Sequence, residues 1–317
     1  MNDCLALSVV APCYNEQAVL PTFVERVTQV CEALNLPYEI VLVNDGSADD
    51  TWAIMNQLAQ SCPALTLVNL SRNHGHQLAL SAGLSIARGQ RVLTIDADLQ
   101  DPPELLGQMM QTMDDGADLV YAQRRQRPGD SMPKRIACNV FYRLLHKLTD
   151  VNVPLDTGDF RLLNRRIVDL LNQMPERRRF LRGMAAWIGF KQVPVHYDRD
   201  ARAAGETKYP LFKLVRLAID GVTSLSVKPL AIAGYLGVAG VGLAFVTLAY
   251  VVLSLILRPD QTPTGWASLT AIVTLFSSVQ LIVLGVLGDY LGQIHEQIKG
   301  RPMFIIDQVI RRDESST

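Results

Sequence analysis

Two long stretches near the C-terminal end of the chain contain no charged side chain. Residues 229–257 hold no Asp, Glu, Lys or Arg, and residues 261–288 repeat the pattern after a short polar turn. A helix needs about 20 apolar residues to cross a bilayer, whereas apolar runs of about 10 to 14 residues are typical of buried core helices. The sequence therefore predicts a transmembrane hairpin over residues 229–292, with spans near 229–257 and 265–290.

Basic residues flank this predicted hairpin at both of its ends, while the turn that connects the spans holds only Arg258. The flanking residues are Lys213, Arg216 and Lys228 before the hairpin and Lys299, Arg301, Arg311 and Arg312 after it. Short loops rich in Lys and Arg stay on the cytoplasmic side. We therefore expect an integral membrane protein of the bacterial inner membrane, with both termini and the tail of residues 293–317 in the cytoplasm.

Residues 1–207 have the pattern of an α/β domain. Short apolar runs such as LALSVVAP, YEIVLVND and LTLVNL alternate with segments of helical periodicity. Short connections of this kind predict a doubly wound, mostly parallel sheet with helices on both faces, in which ligands bind beyond the carboxyl ends of the strands. Neither a G-x-G-x-x-G fingerprint nor a Walker-type loop follows any strand, which argues against those two modes of nucleotide binding.

The overall charge and the cysteines exclude several other classes of protein. The formal net charge is −1, so the chain offers no basic excess for binding nucleic acid. Its 5 cysteines include no Cys-x-x-Cys pair, and neither a zinc site nor a disulfide framework is predicted.

The fourth predicted strand ends in two acids, Asp96 and Asp98. Burial and mutual repulsion both disfavour such a pair, so a positive partner is expected there. Mg²⁺ or Mn²⁺ prefers oxygen ligands and is usually shared between one or two carboxylates and the phosphates of a substrate. The polar clusters after the other strands suit hydroxyls and a base N–H. Together they predict a site for a nucleoside-diphosphate sugar and a divalent cation.

Two further segments, residues 133–148 and 208–228, carry apolar stripes opposite basic residues. Such a helix can lie in the headgroup plane of a membrane. An ordinary surface helix packed on its own domain has the same pattern. The neighbouring hairpin favours the membrane interface for both segments.

Five motifs occur in order along the chain. They are PCYNE at 12–16, VNDGS at 43–47, DADLQ at 96–100, TGDFR at 157–161 and RAAGETKY at 202–209. With the hairpin, they resemble the polyprenyl-phosphate glycosyltransferases of glycosyltransferase family 2, which include dolichyl-phosphate mannose synthases and bactoprenol glucosyl transferases. The bactoprenol type is the nearer match. The resemblance implies a GT-A fold and an inverting transfer from a nucleoside-diphosphate sugar to a lipid phosphate.

The resemblance also implies roles for individual residues. It assigns to the donor nucleoside Pro12, Tyr14, Glu16, Asp45 and Asp96. It assigns Asp98 and Gln100 to the metal, and Asp159, together with Asp98, to catalysis. Asp159 is usually offered as a base, but a phosphate monoester is already ionised near pH 7. We expect Asp159 to orient the acceptor or a sugar hydroxyl and to fix an arginine, with Arg161 as the candidate.

A polyprenyl phosphate acceptor requires fixed cations close to the membrane. The candidates are Arg124, Arg135, Arg202 and Lys208. The last two belong to RAAGETKY, where Gly205 permits a close approach of the backbone to a phosphate. We interpret His74 and His76, on either side of a glycine at a strand end, as loop residues rather than catalytic ones.

The expected reaction is the transfer of glucose from UDP-glucose to undecaprenyl phosphate, giving a lipid-linked sugar for a flippase and a periplasmic transferase. Thr207 stands where relatives often have Ser, which is a chemically mild difference. Arg125 stands where mannose synthases tend to have Tyr, and this difference leaves the donor open. GDP-mannose, UDP-GlcNAc or a UDP-aminoarabinose-type donor are the alternatives. A membrane-tethered sugar-nucleotide-binding scaffold without activity is a further one. Homo-oligomers are expected because resembling proteins often assemble.

Overall fold

The computed structural model describes residues 5–124, 157–197 and 265–311, together with scattered helical positions between 230 and 253. These residues fall into two compact units. One contains residues 5–124, 157–197 and 302–311, and the other contains the helical positions from 230 to 301. The predicted interface helices at 133–148 and 208–228 lie outside the described residues.

The first unit contains all the strands of the described part of the chain. They are β1 Leu7–Cys13, β2 Tyr38–Asn44, β3 Leu65–Leu70, β4 Arg91–Thr94, β5 Leu119–Arg124, β6 Thr157–Asn164, β7 Gln192–Tyr197 and β8 Ile306–Arg311. The helices are α1 Leu20–Ala33, α2 Thr51–Ser61, α3 His76–Ile86, α4 Leu106–Asp114, α5 Arg165–Gln173, α6 Leu181–Ile188 and, in the second unit, α7 Trp266–Ile298. A short 3₁₀ turn, Pro103–Leu105, precedes α4.

The strands form one mixed sheet in the order β7-β5-β6-β4-β1-β2-β3-β8. Its centre is parallel, because β1 pairs in parallel with both β2 and β4, and β2 pairs in parallel with β3. Strand β6 runs antiparallel to both β4 and β5, and β8 runs antiparallel to β3. The predicted α/β class is confirmed, and the sheet is more mixed than the strand–helix alternation suggested.

The sheet packs against helices on both faces, which explains the apolar runs of the central strands. Every residue of β1 is buried, as expected for a parallel strand covered on both sides. One hydrophobic cluster joins the sheet to α1, α2 and α4, and a second joins it to α3, α5 and α6. The core therefore holds the carboxyl ends of β1, β2 and β4 at one edge.

Strand β8 is a feature that sequence reasoning did not anticipate. Residues 293–317 were expected to form a cytoplasmic tail, but Ile306–Arg311 instead forms the edge strand of the sheet beside β3. Phe304 and Ile306 pack against the cluster that contains α3. The segment after the last apolar helix is therefore part of the α/β unit.

The second unit contains the long apolar helix α7. Its segment Leu275–Ile298 has a mean hydropathy of 1.5, and its most apolar stretch is not buried. Among the described residues, this is the one helical segment long and apolar enough to cross a membrane. A Cβ placed on Gly240 would lie 3.0 Å from Cε1 of Phe276. Helical positions near Gly240 therefore pack closely against α7. Most of the first predicted span lies outside the described residues.

Candidate active site

The order of the strands reverses between β1 and β4, which opens a crevice at their carboxyl ends. The pairing of β1 with β4 ends at Val10 and Thr94. In open α/β sheets, ligands bind outside the carboxyl ends of the strands at such a switch point. Pro12 lies beyond the last residue pair shared with β4, where a missing N–H is tolerated. Asp96 follows β4 at the same edge, so the structure brings these two predicted donor residues to one crevice.

Hydrogen bonds join the loop after β1 to the loop after β2. The Asn15 N–H donates to Ser47 Oγ over 3.1 Å, and the Ala48 N–H donates to Asn15 Oδ1 over 2.9 Å. The Glu16 N–H donates to Thr51 Oγ1 over 2.9 Å. The PCYNE and VNDGS motifs therefore form one continuous surface.

Tyr14 lies on this surface and is 48% exposed. An aromatic ring presented in this way at a strand end can stack on a nucleoside base. The donor role that the resemblance implies for this residue stays a prediction.

Asp45 is buried and holds the loop that precedes α3. Its Oδ1 accepts the His74 N–H over 2.7 Å, and its Oδ2 accepts the Gly75 N–H over 3.0 Å. Gly75 has a φ of +94°, a conformation that favours glycine. The carboxylate expected to bind the nucleoside is therefore also the residue that shapes the neighbouring loop.

The acids after β4, Asp96 and Asp98, are both partly buried. Burial raises the pKa of Asp96 to about 6, since His76 only partly offsets the loss of solvent. Asp98 Oδ1 accepts the backbone N–H of Gln100 over 3.1 Å. In the described part of the chain, the buried atoms Asp96 Oδ1 and Gln100 Oε1 have no hydrogen-bond partner. Acceptor oxygens left in this state fit a cation or a donor group of a ligand.

Residues 96–100 offer oxygen atoms that could contribute to a divalent cation site. Among the described residues, no three His, Cys, Asp or Glu side chains lie close enough to hold a metal ion by themselves. The Asp98 carboxylate and the Gln100 amide oxygen are ligands of the type that Mg²⁺ and Mn²⁺ prefer. These ligand atoms fit the predicted cation, and phosphate oxygens and water would have to provide the rest of its ligands.

Asp159 lies on β6, two residues from Arg161, which pairs with the last residue of β4, Thr94, and Asp159 is 3% exposed. The Thr94 hydroxyl donates to its backbone carbonyl. Its carboxylate accepts four hydrogen bonds. Oδ1 accepts from Arg182 Nε at 2.8 Å, and Oδ2 accepts from Arg182 Nη2 at 3.0 Å and Gln77 Nε2 at 2.9 Å and contacts His76 Nε2 at 3.0 Å. Burial alone would raise the pKa of Asp159, but Arg182 and His76 hold it well below its usual range.

The arginine that pairs with Asp159 is Arg182, which corrects the expectation that it would be Arg161. Arg161 Nε donates instead to the Gly158 carbonyl over 3.3 Å. Successive side chains of a strand point to opposite faces, so Asp159 and Arg161, two residues apart, lie on the same face of β6. Sharing a face does not bring their charged groups into contact. Helix α6 presents Arg182 to the carboxylate from the side, in a two-bond geometry that suits guanidinium.

His76 bridges the two acidic motifs of the site. Its Nε2 lies 3.0 Å from Asp159 Oδ2 and 3.5 Å from Asp96 Oδ1. Burial lowers the pKa of His76, but the hydrogen bond to Asp159 and the charge of Asp96 outweigh this effect and raise it. The imidazole thus links strands β4 and β6 through the first residue of α3.

Arg124 is the one acceptor candidate within the described residues. Its Nε donates to the Tyr197 hydroxyl over 3.2 Å, and its Nη2 lies 3.8 Å from the buried carboxylate of Asp101. The Tyr197 hydroxyl in turn donates to Asp101. A Cβ on Gly158 would lie 3.3 Å from Arg124 Nη2, so this guanidinium lies beside the residue that precedes Asp159. Arg135, Arg202 and Lys208 lie outside the described residues.

Sequence reasoning missed three side chains that contact Asp159: His76, Gln77 and Arg182. The sequence carried a signal for the first, because His74-Gly75-His76 follows a strand at the carboxyl edge, but we interpreted it as loop structure. Arg182 follows a run of three arginines, and nothing local distinguishes it from them.

Comparison with known proteins agrees with this geometry. Residues 8–171 match the model of "Glycosyl transferase family 2", which spans the crevice, the acids after β4 and Asp159. The chain belongs to this family. It is therefore a glycosyltransferase, and the matched residues include all the described members of the site except Arg182 and Tyr197.

Known proteins match this chain over almost its whole length. "Uncharacterized glycosyltransferase YkcC" from Bacillus subtilis (strain 168) is 42% identical over 97% of this chain and 95% of its own. "Prophage bactoprenol glucosyl transferase homolog" from Escherichia coli (strain K12) is 38% identical over 96% and 99%. The predicted resemblance to polyprenyl-phosphate glycosyltransferases is confirmed. A solved mannosyl-3-phosphoglycerate synthase from Rubrobacter xylanophilus is a distant match, with a TM-score of 0.47 and 22% identity over 73% of this chain and 75% of that one.

Proposed function

We propose that this glycosyltransferase moves one glucosyl group from UDP-glucose to undecaprenyl phosphate at the cytoplasmic face of the membrane, with inversion at the anomeric carbon. The bactoprenol glucosyl transferases of Shigella phage SfII and Shigella phage SfX, at 37% and 36% identity, support this acceptor and this sugar.

The observation that best supports this proposal is that Asp159 is held in its ionised form beside the crevice. Its four donors keep it charged and immobile, since each oxygen is already hydrogen bonded. A carboxylate held in this way is a weak base, because its pKa lies far below neutral pH. Asp159 therefore suits a transfer reaction whose acceptor does not have to be deprotonated by a base.

The acceptor phosphate supplies such a nucleophile. One of its oxygens carries a negative charge near pH 7, and it attacks the anomeric carbon from the face opposite the diphosphate. The bond from that carbon to the diphosphate oxygen breaks, and UDP leaves with the electron pair. Asp159 and Arg182 act as a fixed ion pair that orients the reacting groups, and Arg124 offers a cation to the incoming phosphate.

Asp98 and Gln100 would hold the divalent cation in this reaction. When bound, the cation neutralises the diphosphate and makes it a better leaving group. Asp96 reaches the nucleoside from the same turn. Its raised pKa favours a partner that brings positive charge or a hydrogen-bond donor.

The sheet supports an anchor that crosses the membrane an even number of times. Strand β7 ends at Tyr197 and β8 begins at Ile306, and both belong to one sheet. A folded sheet lies on one side of a bilayer, so the intervening chain must return to the side from which it left. If Leu275–Ile298 crosses the membrane, the proposal needs a second span, and the uncharged residues 229–257 are the segment proposed for it. The lipid-linked product would be a substrate for a flippase and a periplasmic transferase, and homo-oligomers stay a prediction.

A transfer assay tests the proposal. Membranes that contain the full-length protein are incubated with undecaprenyl phosphate and one radiolabelled donor at a time, with a divalent cation or with a chelator. The label that partitions into organic solvent is then counted. We expect label from UDP-glucose alone, lost with chelator and reduced on the order of 100-fold in Asp98→Asn.

The other outcomes discriminate between the alternatives. Lipid label from GDP-mannose, UDP-GlcNAc or a UDP-aminoarabinose-type donor would retain the reaction and change the sugar. Bound nucleotide without any lipid label would contradict the reaction and favour a non-catalytic scaffold. The matched control is Asp169→Asn, at an exposed acid of α5 that pairs with Arg165; it should transfer glucose at the rate of the unmodified protein.

A further inference from the structure

The chain that follows α7 returns to the donor side of the sheet. The Ser71 N–H donates to the Ile305 carbonyl over 3.0 Å. The Ile305 N–H donates to His74 Nε2 over 3.4 Å. Burial and the nearby Arg72 lower the pKa of His74, which keeps the imidazole neutral and able to accept this bond. The loop from Ser71 to Gly75 is thus held on one side by the residue just before β8.

The other side of the same loop is held by the VNDGS motif. Asp45 accepts the backbone N–H groups of His74 and Gly75. Gly46 has a φ of +63°, and a Cβ there would lie 2.5 Å from the carbonyl carbon of Arg72. Backbone therefore meets backbone at this point, and a shift of the Ser71–Gly75 segment must move the donor motif with it.

A second connection runs through side chains across three neighbouring strands. Asn69 Nδ2 on β3 donates to Asp307 Oδ2 on β8 over 3.2 Å. Asn44 Nδ2 on β2 donates to Asn69 Oδ1 over 2.7 Å. Asn44 Oδ1 then accepts the Ser47 N–H over 3.2 Å. The side-chain amides of Asn69 and Asn44 each donate one hydrogen bond through nitrogen and accept one through oxygen. Because Asp307 can only accept, it fixes the orientation of both amides.

This chain of hydrogen bonds ends in the loop that carries Tyr14. The Ser47 hydroxyl accepts the Asn15 N–H over 3.1 Å. The side chain of Asn15 in turn accepts the Ala48 N–H. Asp307 is thereby linked to both donor motifs, although nearly the whole chain separates them in sequence.

We infer that β8, through Asp307 and Ile305, is a positioning element of the donor-nucleoside site. The apolar helix α7 ends only a few residues before Ile305, so the segment that leaves the membrane anchor also sets the geometry of the nucleotide loops. The inference rests on the proposed function, in which these loops bind UDP. Asp307 acts through Asn69 and Asn44 and does not touch the substrate.

The test compares the dissociation constant of UDP for the purified full-length protein and its variants. Asp307→Ala should raise this constant about three- to tenfold, the worth of one hydrogen bond. Asp307→Asn keeps an acceptor oxygen for Asn69 and should stay within about twofold. Gln308→Ala, on the same exposed stretch of β8, is the matched control and should leave UDP binding unchanged. His74→Phe removes the acceptor of the Ile305 N–H and should weaken UDP binding independently.

Steady-state kinetics separate positioning from a general loss of structure. Asp307→Ala should raise the KM for the donor while kcat and the KM for the lipid acceptor stay close to those of the unmodified protein. Unchanged UDP binding in both Asp307→Ala and His74→Phe would overturn the inference, as would equal losses in Asp307→Ala and Gln308→Ala. If the unmodified protein binds no UDP, the proposed function itself fails. If the unmodified protein binds UDP but the variants bind it equally well, only the role of β8 fails.

Discussion

Asp96 and Asp159 face the same imidazole from neighbouring strands, yet their environments differ. Asp159 accepts four hydrogen bonds, and its pKa lies well below the usual range. Asp96 has one buried oxygen without a hydrogen-bond partner in the described part of the chain, and burial raises its pKa to about 6. The protein satisfies both oxygens of Asp159 with hydrogen bonds, whereas among the described residues Asp96 Oδ1 has only the 3.5 Å contact with His76.

This difference assigns separate tasks to two acids that look alike in sequence. Neighbouring carboxylates with pKa values pushed apart are a common arrangement in active sites. The preorganised ion pair of Asp159 and Arg182 requires no rearrangement during the reaction, so its field acts on the substrate at full strength. In the described part of the free protein Asp96 has only the longer contact with His76, at 3.5 Å, so under the proposed function its ionisation would be linked to donor binding.

Asp159→Asn should have the largest effect. The change leaves Arg182 and His76 without their shared carboxylate, so we expect kcat to fall on the order of 100- to 1,000-fold. The free energy of unfolding should fall by about 3 kcal/mol, because a partner of a buried ion pair is lost. Transfer assays and chemical denaturation of the full-length protein measure the two quantities.

The pH–rate profile of Asp159→Asn distinguishes an anchor from a base. With Asp159 as an anchor, the profile keeps the shape found for the unmodified protein at a lower rate. Loss of one ionisation limb, with acceptor binding intact, would identify Asp159 as a true base.

Arg182→Gln should have the next largest effect, because the carboxylate keeps only His76 and Gln77. We expect kcat to fall about 30-fold, and Arg182→Lys to recover only part of the rate, since an ammonium cannot form the two parallel bonds of a guanidinium. The matched control is Arg26→Gln, which breaks an exposed ion pair in which Arg26 Nε and Nη2 both donate to Glu104. Equal rates for the Gln and Lys variants would contradict the geometric role of Arg182.

Asp96→Asn should change stability in the opposite direction from Asp159→Asn. The folded pKa of Asp96 lies above its unfolded value, so its ionisation costs stability as pH rises from about 4 to about 6. The amide removes this cost and should stabilise the free protein at pH 7 by about 1 kcal/mol, a modest gain because 29% of the side chain is exposed. UDP affinity should fall about tenfold. Destabilisation by Asp96→Asn would show that its charge is already satisfied.

His76→Gln should have the smallest effect on rate and a clear effect on pH dependence. The pKa of His76 is raised in the folded protein, so its stabilising contribution is complete below the unfolded value near 6.5 and is lost as pH rises through the folded value. Thermal melts from pH 6 to pH 9 should show this decline in the unmodified protein and a flatter curve in the variant. An identical decline in both would place the titration elsewhere.

The parts of the molecule that local patterns could predict are the central strands and the residues that end them. The apolar runs of β1 to β5 and the polar clusters after them place Tyr14, Asp45 and Asp96 at one edge without any structure. The segment Ile306–Arg311 could not be assigned in this way, because it lacks a clear alternation of apolar and polar residues. Its pairing with β3 depends on a partner far away in sequence.

The contacts of Asp159 show the same limit. The position of this acid followed from the TGDFR motif, but its partners come from α3 and α6, and no spacing in the sequence reveals which side chains these helices present. Arg161 was the nearest arginine along the chain, yet Arg182 makes the ion pair. Helix packing on the sheet, rather than distance in sequence, chooses the partner.

The most direct test is a carboxyl NMR titration of the full-length protein labelled at aspartate, with Asp96→Asn and Asp159→Asn used for assignment. We predict that Asp96 titrates near pH 6 in the free protein, whereas the pKa of Asp159 lies well below the usual range for an aspartate. UDP and a divalent cation should then lower the pKa of Asp96 and leave Asp159 unchanged. An Asp159 that takes up its proton at or above the pH at which Asp96 does would contradict the difference in environment between the two carboxylates.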